Sequence, residues 1–531
     1  MKNLLLQFMI LSAFVGNSQS FIRKAGANDI DHLKKIIALN NNYYLAGNTY
    51  SLGTSHIQVI KTDLNGNQLW NSIAQGNVND FTADLVNLNG SKILSGGTTR
   101  KIVGSQNISD GYLQLQNQAG TILWQKTYSV MGNETYFTSI VNTNDSGIAV
   151  LGGYYDNMNN NINFLSKLDS NGVVQWIMEY SGSGFLTSDN LLQLSNNDFL
   201  ITGSIGLGFQ MNNAVAYRVS STGNLIWSEI INYDNVNSQN SSFYHAAELP
   251  SGNILLSGYS DYFGSGAMDY IVTKITGNGA LINNTYYGTN QIDWLYDANY
   301  NPVTNKLILC GESGGIGNPS QSDGLLLSID TTGILLGSWA AGDTSASFKI
   351  ERINSIIQSP SDFIGVGYEY DQMNSQDDYY FFKHSYSTAS CINYTPSILT
   401  VTSTPVIQSL TLTSNIISLT QTSHSLTNVS FYNDTTICSL ITTDLPENEI
   451  QIDLLMYPNP TSSNFHIESI GDLISEVTVF DLIGRRVHTE NNKSRLSNLD
   501  LTLDLSTGTY IVRIKTESGR VVSKKILIAK E

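Results

Sequence analysis

KLDSNGVVQW, at residues 167–176, is one copy of a hairpin pattern that recurs along most of this chain and decides its fold. An alternating apolar strand meets a polar turn ending in glycine, and a second strand follows with tryptophan four residues after that glycine. The clear copies are KTDLNGNQLW (61–70), LQNQAGTILW (115–124), KLDSNGVVQW (167–176) and RVSSTGNLIW (218–227), and the weaker ones are KITGNGALIN (274–283) and SIDTTGILLG (328–337). Each copy predicts a β-hairpin.

The turn glycines give the repeat its period. They are Gly66, Gly120, Gly172, Gly223, Gly279 and Gly333, which stand 54, 52, 51, 56 and 54 residues apart. A short hairpin turn needs a positive φ, which glycine adopts without strain. The large side chains that follow should each pack against a neighbouring layer; they are Trp70, Trp124, Trp176 and Trp227.

A second strand–turn–strand pattern, ending in glycine-rich sequence, precedes each hairpin. Its seven copies are IIALNNNYYLAGNTY (36–50), ADLVNLNGSKILSGGTT (83–99), SIVNTNDSGIAVLGGYY (139–155), NLLQLSNNDFLITGSIG (190–206), AAELPSGNILLSGYS (246–260), ANYNPVTNKLILCGESG (298–314) and IIQSPSDFIGVGYEY (356–370). Four short strands in about 52 residues are typical of a β-propeller blade. A β-solenoid or a row of sandwiches is the alternative, but solenoid repeats are shorter.

The two ends of the repeat region complement each other. The seventh repeat ends at DDYYFFKHSYS (377–387) without a fourth strand, whereas FIRKAGANDIDHLKKI (21–36) aligns with WNSIAQGNVNDFTADL (70–85) and places Phe21 at the tryptophan position. A fourth strand from the N-terminus would close the ring and remove its sheet edges. The sequence therefore predicts an all-β fold that begins with a seven-bladed β-propeller over residues 21–388.

The first residues read as an export signal. MKNLLLQFMILSAFVGNSQS (1–20) has Lys2, then an apolar run, then small residues, which predicts a signal peptide cut near residue 18 or 20. A membrane anchor is the alternative, but the apolar run is too short to span a bilayer.

The overall charge limits the classes of molecule that the chain is expected to bind. The chain has 27 Lys and Arg against 44 Asp and Glu, a net charge of −17, and this balance disfavours binding to nucleic acid or to anionic lipid. Only 13% of the residues are charged, while Gly (44) and Tyr (28) are abundant, which favours strands and turns over long helices.

Residues 389–445 are rich in Ser and Thr. SILTVTSTPVIQSLTLTSNIISLTQTSHSLTNVSFY (397–432) alternates well enough to predict a small β module, with an extended linker as the alternative. Cys391 and Cys438 bracket this segment and are the natural disulfide pair in an exported protein, while Cys310 should be a buried free thiol. TTDLPENEIQ (442–451) reads as a linker.

The C-terminal region, residues 446–531, contains seven short alternating strands from residue 452 onward, which suggest an Ig-like β-sandwich. Four motifs follow in order: Tyr457-Pro458-Asn459-Pro460; VTVFDLIGRRV (477–487) with Gly484; LSTGTYIVR (505–513) with Gly508 and Tyr510; and KKILI (524–528) with Lys524 and Lys525. The region resembles the type A C-terminal sorting domain of the type IX secretion system.

The resemblance implies a delivery route. The domain would be recognised by the outer-membrane translocon and removed by a sortase-like protease. The rest of the chain would be released, or joined to lipopolysaccharide on the outer face of the outer membrane of a gram-negative bacterium. The basic C-terminal residues Lys524, Lys525 and Lys530 would contact the translocon or, alternatively, form a solvated strand edge.

Motifs of known chemistry do not support an enzyme, a metal site or a cofactor site. The seven histidines form no HxH or HExxH pattern, and no GxSxG, P-loop or GxGxxG stands in a strand–helix context. Turns such as Asp63–Gly66 resemble half a calcium loop but lack the distal glutamate, so they are interpreted as hairpin turns.

Tyrosine and aspartate cluster where strands connect at one rim of the expected channel. The candidate ligand residues are Tyr155, Asp156, Tyr259, Asp261, Tyr368 and Asp371. Such residues suit carbohydrate by stacking and hydrogen bonding, although ordinary solvated loops are the alternative. The leading hypothesis is a secreted or surface-displayed binding, adhesion or scaffold protein for a glycan or protein ligand. The alternative is a propeller enzyme acting on polysaccharide or peptide with acidic channel residues.

Overall fold

A computed structural model describes the chain at residues 20–25, 31–51, 54–75, 79–103, 106–206, 212–232, 240–261, 268–314, 322–341, 349–371, 376–386, 396–403, 405–423, 427–429, 434–440, 454–469, 473–481, 485–491, 496–517 and 521–530. Throughout these residues the regular elements are β-strands, and none of them is a helix long and apolar enough to cross a membrane. Residues 1–19 of the expected signal peptide lie outside the described residues. The chain divides into two compact units, residues 1–442 and 443–531.

The first unit contains seven antiparallel groups of four strands, and each group corresponds to one sequence repeat. In pairing order, group 1 is β2 (Asp31–Leu39), β3 (Asn42–Ser51), β4 (Thr54–Thr62) and β5 (Gln68–Gln75); group 2 is β6 (Phe81–Leu88), β7 (Lys92–Val103), β8 (Gln106–Asn117) and β9 (Ile122–Val130); group 3 is β10 (Thr135–Asn142), β11 (Ile148–Tyr155), β12 (Asn161–Leu168) and β13 (Val174–Ser181); group 4 is β14 (Phe185–Gln193), β15 (Phe199–Gly206), β16 (Asn212–Val219) and β17 (Leu225–Asn232).

The remaining groups follow the same order of pairing. Group 5 is β18 (Ser241–Glu248), β19 (Ile254–Ser260), β20 (Asp269–Ile275) and β21 (Leu281–Gly288); group 6 is β22 (Asp293–Asn301), β23 (Lys306–Gly314), β24 (Ser322–Asp330) and β25 (Leu335–Ala341); group 7 is β26 (Lys349–Gln358), β27 (Asp362–Asp371), β28 (Gln376–Ser385) and β1 (Ser20–Ala25). A single parallel pair, Ser322 with Ile350, joins groups 6 and 7 into one sheet.

The first strands of the seven groups contact one another in a closed cycle. β2 contacts β6, and the contacts continue through β10, β14, β18, β22 and β26 back to β2. Apolar side chains fill the layers between successive groups, for example Leu151, Ile201 and Tyr217 between groups 3 and 4. Each first strand is therefore held between two others.

The N-terminal strand is the fourth strand of group 7. β1 pairs antiparallel with β28, with Phe21 opposite Lys383. Phe21 is fully buried, and its ring lies 5.0 Å from that of Phe381. A Cβ on Gly66, in the turn of group 1, would lie 2.8 Å from the Phe21 ring.

The tryptophans pack against the turns of the groups that follow them. All six turn glycines have positive φ, between 73° and 97°. A Cβ on Gly120 would lie 3.2 Å from the Trp70 ring, because the tryptophan of one group covers the turn of the next. The same contact recurs between Trp124 and Gly172, Trp176 and Gly223, and Trp227 and Gly279.

Residues 396–440, which we call the belt, add a fifth strand to six of the seven groups. Its strands are β29 (Leu399–Ser403), β30 (Val406–Ser409), β31 (Thr413–Ile416), β32 (Leu419–Ser423), β33 (Thr427–Val429) and β34 (Asp434–Leu440). They pair antiparallel with the fourth strands β21, β17, β13, β9, β5 and β1 in turn, so the belt visits the groups in reverse chain order. Before them, the Ser338 hydroxyl of group 6 donates to the Pro396 carbonyl at 3.1 Å.

The belt corrects the prediction of a small β module over residues 389–445. Strands form there, but in the described residues they pair with the groups of the first unit and not with one another. A free linker is also wrong for these strands, because they are hydrogen-bonded along their length. Cys391 and the side chain of Cys438 lie outside the described residues, so their pairing stays a prediction, while Cys310 is a buried free thiol as expected.

Belt side chains enter the apolar layers of the first unit. Leu410 and Leu412 are 8% and 7% exposed and join the layer between groups 3 and 4. Ile416, only four residues beyond Leu412, is 84% exposed. One face of the belt, with Leu410 and Leu412, therefore packs against the groups, and the other face, with Ile416, is exposed to solvent.

We expect Leu412→Ala to lower the free energy of unfolding of the first unit by about 2–4 kcal/mol, since a buried leucine leaves a cavity. Ile416→Ala is the matched control and should change it by less than about 0.5 kcal/mol. Denaturant unfolding of the full chain, followed by tryptophan fluorescence, measures both. Equal effects of the two variants would contradict the packing of the belt.

The second unit has seven strands in two antiparallel sheets around one core. They are β35 (Leu454–Tyr457), β36 (Asn464–Ser469), β37 (Ile474–Phe480), β38 (Arg486–Asn491), β39 (Asn498–Thr502), β40 (Gly508–Thr516) and β41 (Val521–Ile528), in the orders β35-β36-β39 and β38-β37-β40-β41. Residues of both sheets, such as Phe465, Val479 and Val512, share the core. The expected linker, residues 442–451, lies outside the described residues.

Candidate functional site

The first strand of every group carries one β-bulge at the same place. The pairing register skips one residue, and the residue before it pairs with a glycine of the second strand. A Cβ on that glycine would overlap a carbonyl oxygen of the first strand, so only glycine fits. The glycines are Gly47, Gly97, Gly152, Gly203, Gly258, Gly311 and Gly367, and the bulged residues are Lys34, Ala83, Thr138, Asp189, Tyr244, Tyr296 and Asn354.

Polar residues directly follow the bulges, and several of them tie neighbouring groups together. We call them the clasp residues: Lys35, Asp84, Ser139, Asn190, His245, Asp297 and Ser355. Asp84 Oδ2 accepts a hydrogen bond from the Ile140 amide of group 3 at 2.8 Å. Asp297 Oδ2 likewise accepts from the Ser355 hydroxyl of group 7 at 2.7 Å. These bonds satisfy backbone and hydroxyl groups between first strands.

The clasp residues include charges that influence one another. Lys35 Nζ lies 3.2 Å from Asp297 Oδ2. Burial lowers the pKa of Lys35, but the carboxylates of Asp297 and Asp84 outweigh it and raise that pKa overall. Burial raises the pKa of Asp84, and burial lowers the pKa of His245 to about 4. His245 is therefore neutral at pH 7.

A cluster of aromatic side chains around one ion pair lies at the strand end beyond the bulges, in groups 6, 7 and 1. The Arg352 guanidinium donates to both carboxylate oxygens of Glu312, at 2.8 and 2.9 Å. The same guanidinium lies over the Tyr296 ring at 4.8 Å and the Tyr368 ring at 5.4 Å. On the other side, the His32 ring stacks on Tyr368 with centroids 3.9 Å apart.

A second aromatic cluster lies at the same strand end in groups 3 to 6. We call it the Asp189 cluster: Asp189, Tyr136, Tyr244, Tyr259 and Trp294. The Tyr259 ring lies 5.7 Å from Tyr244 and 4.7 Å from Trp294. Burial is the main cause that raises the pKa of the three tyrosines, and the charge of Asp189 adds to it. Burial also raises the pKa of Asp189 to about 7.

The predicted ligand tyrosines all lie at this strand end, in groups 3, 5 and 7. Tyr155 is 37% exposed, with its ring 6.0 Å from that of Tyr136. Tyr259 belongs to the Asp189 cluster, and Tyr368 lies between His32 and Arg352.

The predicted ligand aspartates have structural contacts instead. Asp156 Oδ1 accepts from the Met158 and Asn160 amides, each at 2.8 Å, and so shapes a turn. Asp261 Oδ1 accepts from the Asn240 amide at 2.7 Å. The side chain of Asp371 lies outside the described residues. The residues that the sequence analysis missed are Asp189, Tyr136, Tyr244, Trp294, Arg352 and Glu312; they can be found by counting from the bulge glycines.

In the second unit, two sorting motifs that are distant in sequence come together. The Asn459 side chain donates to the Lys525 carbonyl at 2.8 Å and accepts from the Leu527 amide at 2.9 Å, which joins the Tyr457–Pro460 segment to β41. The Tyr457–Pro458 and Asn459–Pro460 peptide bonds are cis. Tyr457 is half exposed, and Lys524 and Lys525 are exposed.

The other sorting residues divide between core and strand ends. The Tyr510 hydroxyl donates to the Ser506 carbonyl at 3.0 Å from a buried ring. Gly508 begins β40, and Gly484 lies outside the described residues. Among the described residues of the whole chain, no three His, Cys, Asp or Glu side chains form a group that could hold a metal ion.

Residues 455–529 match the family model described as "Secretion system C-terminal sorting domain". The chain thus carries a type IX sorting domain, which indicates export to the cell surface or the surroundings. No curated protein matches the chain.

Several solved structures, including the following two, are similar to the chain. One is puromycin hydrolase complexed with PGG, with 11% identity, a TM-score of 0.42 and coverage of 65% of this chain, which spans 53% of that protein. The other is Sqt1 from Chaetomium thermophilum, with 10% identity, a TM-score of 0.35 and coverage of 70% of this chain and 99% of that one.

We expect the stability of the Asp189→Asn variant, relative to that of the unchanged chain, to increase as the pH rises from 4 to 7. The folded-state pKa of Asp189, about 7, is above its ordinary value of 3.8, so between these values the folded chain holds a proton that the unfolded chain has lost. Stability therefore falls as the pH rises through this window, by on the order of 2–4 kcal/mol, and asparagine removes that fall. Denaturant unfolding at several pH values measures the difference; a gap that does not change with pH would contradict the raised pKa.

Proposed function

We propose that groups 1 to 7 are the blades of a seven-bladed β-propeller over residues 21–388. The closed cycle of contacts between first strands supports this, because blades meet along their inner strands around a channel. The pairing of β1 with β28 supports ring closure. The clasp residues and the bulged residues would then line the channel.

For residues 446–531 we propose an Ig-like β-sandwich. Two antiparallel sheets with a total of seven strands enclose one core, which is the arrangement of such a sandwich. The bond from the Tyr510 hydroxyl to the Ser506 carbonyl resembles a tyrosine corner.

The function we propose for the propeller is non-catalytic binding of a glycan at the cell surface, as an adhesin or scaffold. The observation that carries this is the gathering of Tyr155, Tyr259, Trp294 and Tyr368 at one strand end. Flat aromatic rings with hydroxyl groups bind sugar faces and hydroxyls together.

The second candidate is an enzyme acting on polysaccharide or peptide. One observation favours it, since Asp84 and Asp297 both interact with the charge of Lys35. Each of these carboxylates, however, accepts hydrogen bonds from the next group, from Ile140 and Ser355 respectively. Their role as clasp residues favours binding over hydrolysis.

We expect the full chain to bind at least one polysaccharide on an array of bacterial surface glycans. Tyr155→Ala should weaken that binding about three- to tenfold through the loss of one stacking ring. Tyr457→Ala, an exposed tyrosine of the second unit, is the matched control and should bind unchanged. Binding to no glycan would overturn the glycan proposal, and hydrolysis of the bound polymer would favour the enzyme.

For delivery, we propose the route of type IX cargo. The signal peptide would take the chain to the periplasm, and the translocon would recognise residues 446–531. A sortase-like protease would then remove them, which leaves the propeller released or attached to lipopolysaccharide on the outer face of the outer membrane. The matched sorting domain supports this route.

We expect a chain lacking residues 452–531 to accumulate in the periplasm, because the translocon would have nothing to recognise. The intact chain should appear in the medium or on the cell surface, as measured by fractionation and immunoblotting. Asn498→Ala, on the exposed surface of the second unit, should export normally. Export of the shortened chain would contradict the route.

A further inference from the structure

Among the described residues the Asp189 carboxylate has no cationic partner, unlike several other acidic side chains at its strand end. Glu312 pairs with Arg352, Asp377 with His32, and Asp110 with Lys101. Asp189 accepts hydrogen bonds from the hydroxyl of Ser242, at 3.3 Å, and from that of Thr187, and no charged side chain of the described residues influences it.

The position of Asp189 suits an incoming group. It is the bulged residue of group 4, so it stands out from the regular pairing of β14 and β15. Its side chain is half buried and thus still reachable. Tyr136 comes from the preceding group, and Tyr244 and Trp294 come from the two that follow.

The aromatic side chains add to the attraction that a carboxylate exerts on a cation. Rings of tyrosine and tryptophan attract ammonium groups through their negative faces, most strongly where water is excluded. Tyr136 donates its hydroxyl proton away, to Asn161 Oδ1 at 2.6 Å, and the hydroxyls of Tyr244 and Tyr259 bond to each other. These rings are therefore held in place before any ligand arrives.

We propose that the Asp189 cluster binds the protonated primary amine of an amino sugar, with the sugar ring stacked on the neighbouring aromatic side chains. This rests on the proposed glycan-binding function and specifies its ligand. An ammonium group would give Asp189 the cationic partner that it lacks, in a half-buried place where a charge pair is stronger than in water. A sugar, unlike a lysine side chain, also uses the exposed ring of Tyr155 next to Tyr136.

The test compares two oligosaccharides that differ in charge at the amine. The full chain is titrated calorimetrically with a glucosamine tetramer and with its N-acetylated counterpart at about pH 7.5, where the Asp189 carboxyl, whose pKa is about 7, is mostly ionised and much of an amine of ordinary pKa is still protonated. We expect the glucosamine tetramer to bind at least tenfold more tightly. Asp189→Asn should abolish that preference.

Asp156→Asn is the matched control, because Asp156 shapes a turn next to Tyr155 and should leave the preference intact. Asparagine at 189 can still accept the Ser242 bond, and an unchanged unfolding midpoint of the variant at pH 4 confirms that it is folded.

The outcomes separate this inference from the proposed function. Equal binding of the two tetramers, or a preference that survives Asp189→Asn, overturns the inference while glycan binding stands. Binding of neither tetramer also overturns the inference, and the glycan array then decides the proposed function by itself. Asp189-dependent binding of a lysine-containing peptide in place of both tetramers would assign the cluster to a protein ligand.

Discussion

The structure of the first unit depends on the two-sided pairing of β1. On one edge this six-residue strand pairs with β28, and on the other with β34, so strands from both ends of the unit lie side by side in group 7. Phe21 fills the layer to group 1 from this strand, and its ring covers Gly66. Without β1, β28 would be an open edge, and group 1 would lose the side chain that seals its turn. Group 7 therefore joins the beginning and the end of the first unit in one sheet.

A second constraint, the bulge opposite glycine, positions the side chains of the candidate site. A regular strand alternates its side chains between two faces, whereas a bulge inserts one extra residue and redirects it. Because the bulge recurs in all seven first strands, each group contributes one redirected side chain, and the clasp residues that follow join the groups to one another. The side chain presented at the candidate site thus varies with the identity of the redirected residue, such as Asp189 or Tyr244, while the backbone that presents it stays the same.

The sequence predicted the features that are local or periodic. Positive φ at Gly66, the contact of Trp70 with the next turn, the pairing of β1 and the sorting domain all follow from short motifs whose neighbours lie in fixed positions. The belt was not predicted, because alternation predicts a strand and says nothing about its partner. A signal did exist: belt strands begin at residues 399, 406, 413, 419, 427 and 434, so each step is six to eight residues. Such a step spans roughly 20–27 Å when extended, enough to reach a neighbouring edge. The Asp189 cluster was missed because its residues come from four repeats, and rim aspartates such as Asp156 looked functional although they shape turns.

The belt also changes what a broken backbone would mean. A cut between β13 and β14, in residues 182–184, would divide the first unit into a piece with β1 to β13 and a piece with β14 to β34. The second piece would still pair β31, β32, β33 and β34 with β13, β9, β5 and β1 of the first. Outside a cell, where proteases are abundant and damaged chains are not replaced in place, a nicked molecule of this kind would stay assembled. The belt thus gives the exported protein tolerance to cleavage without a covalent cross-link.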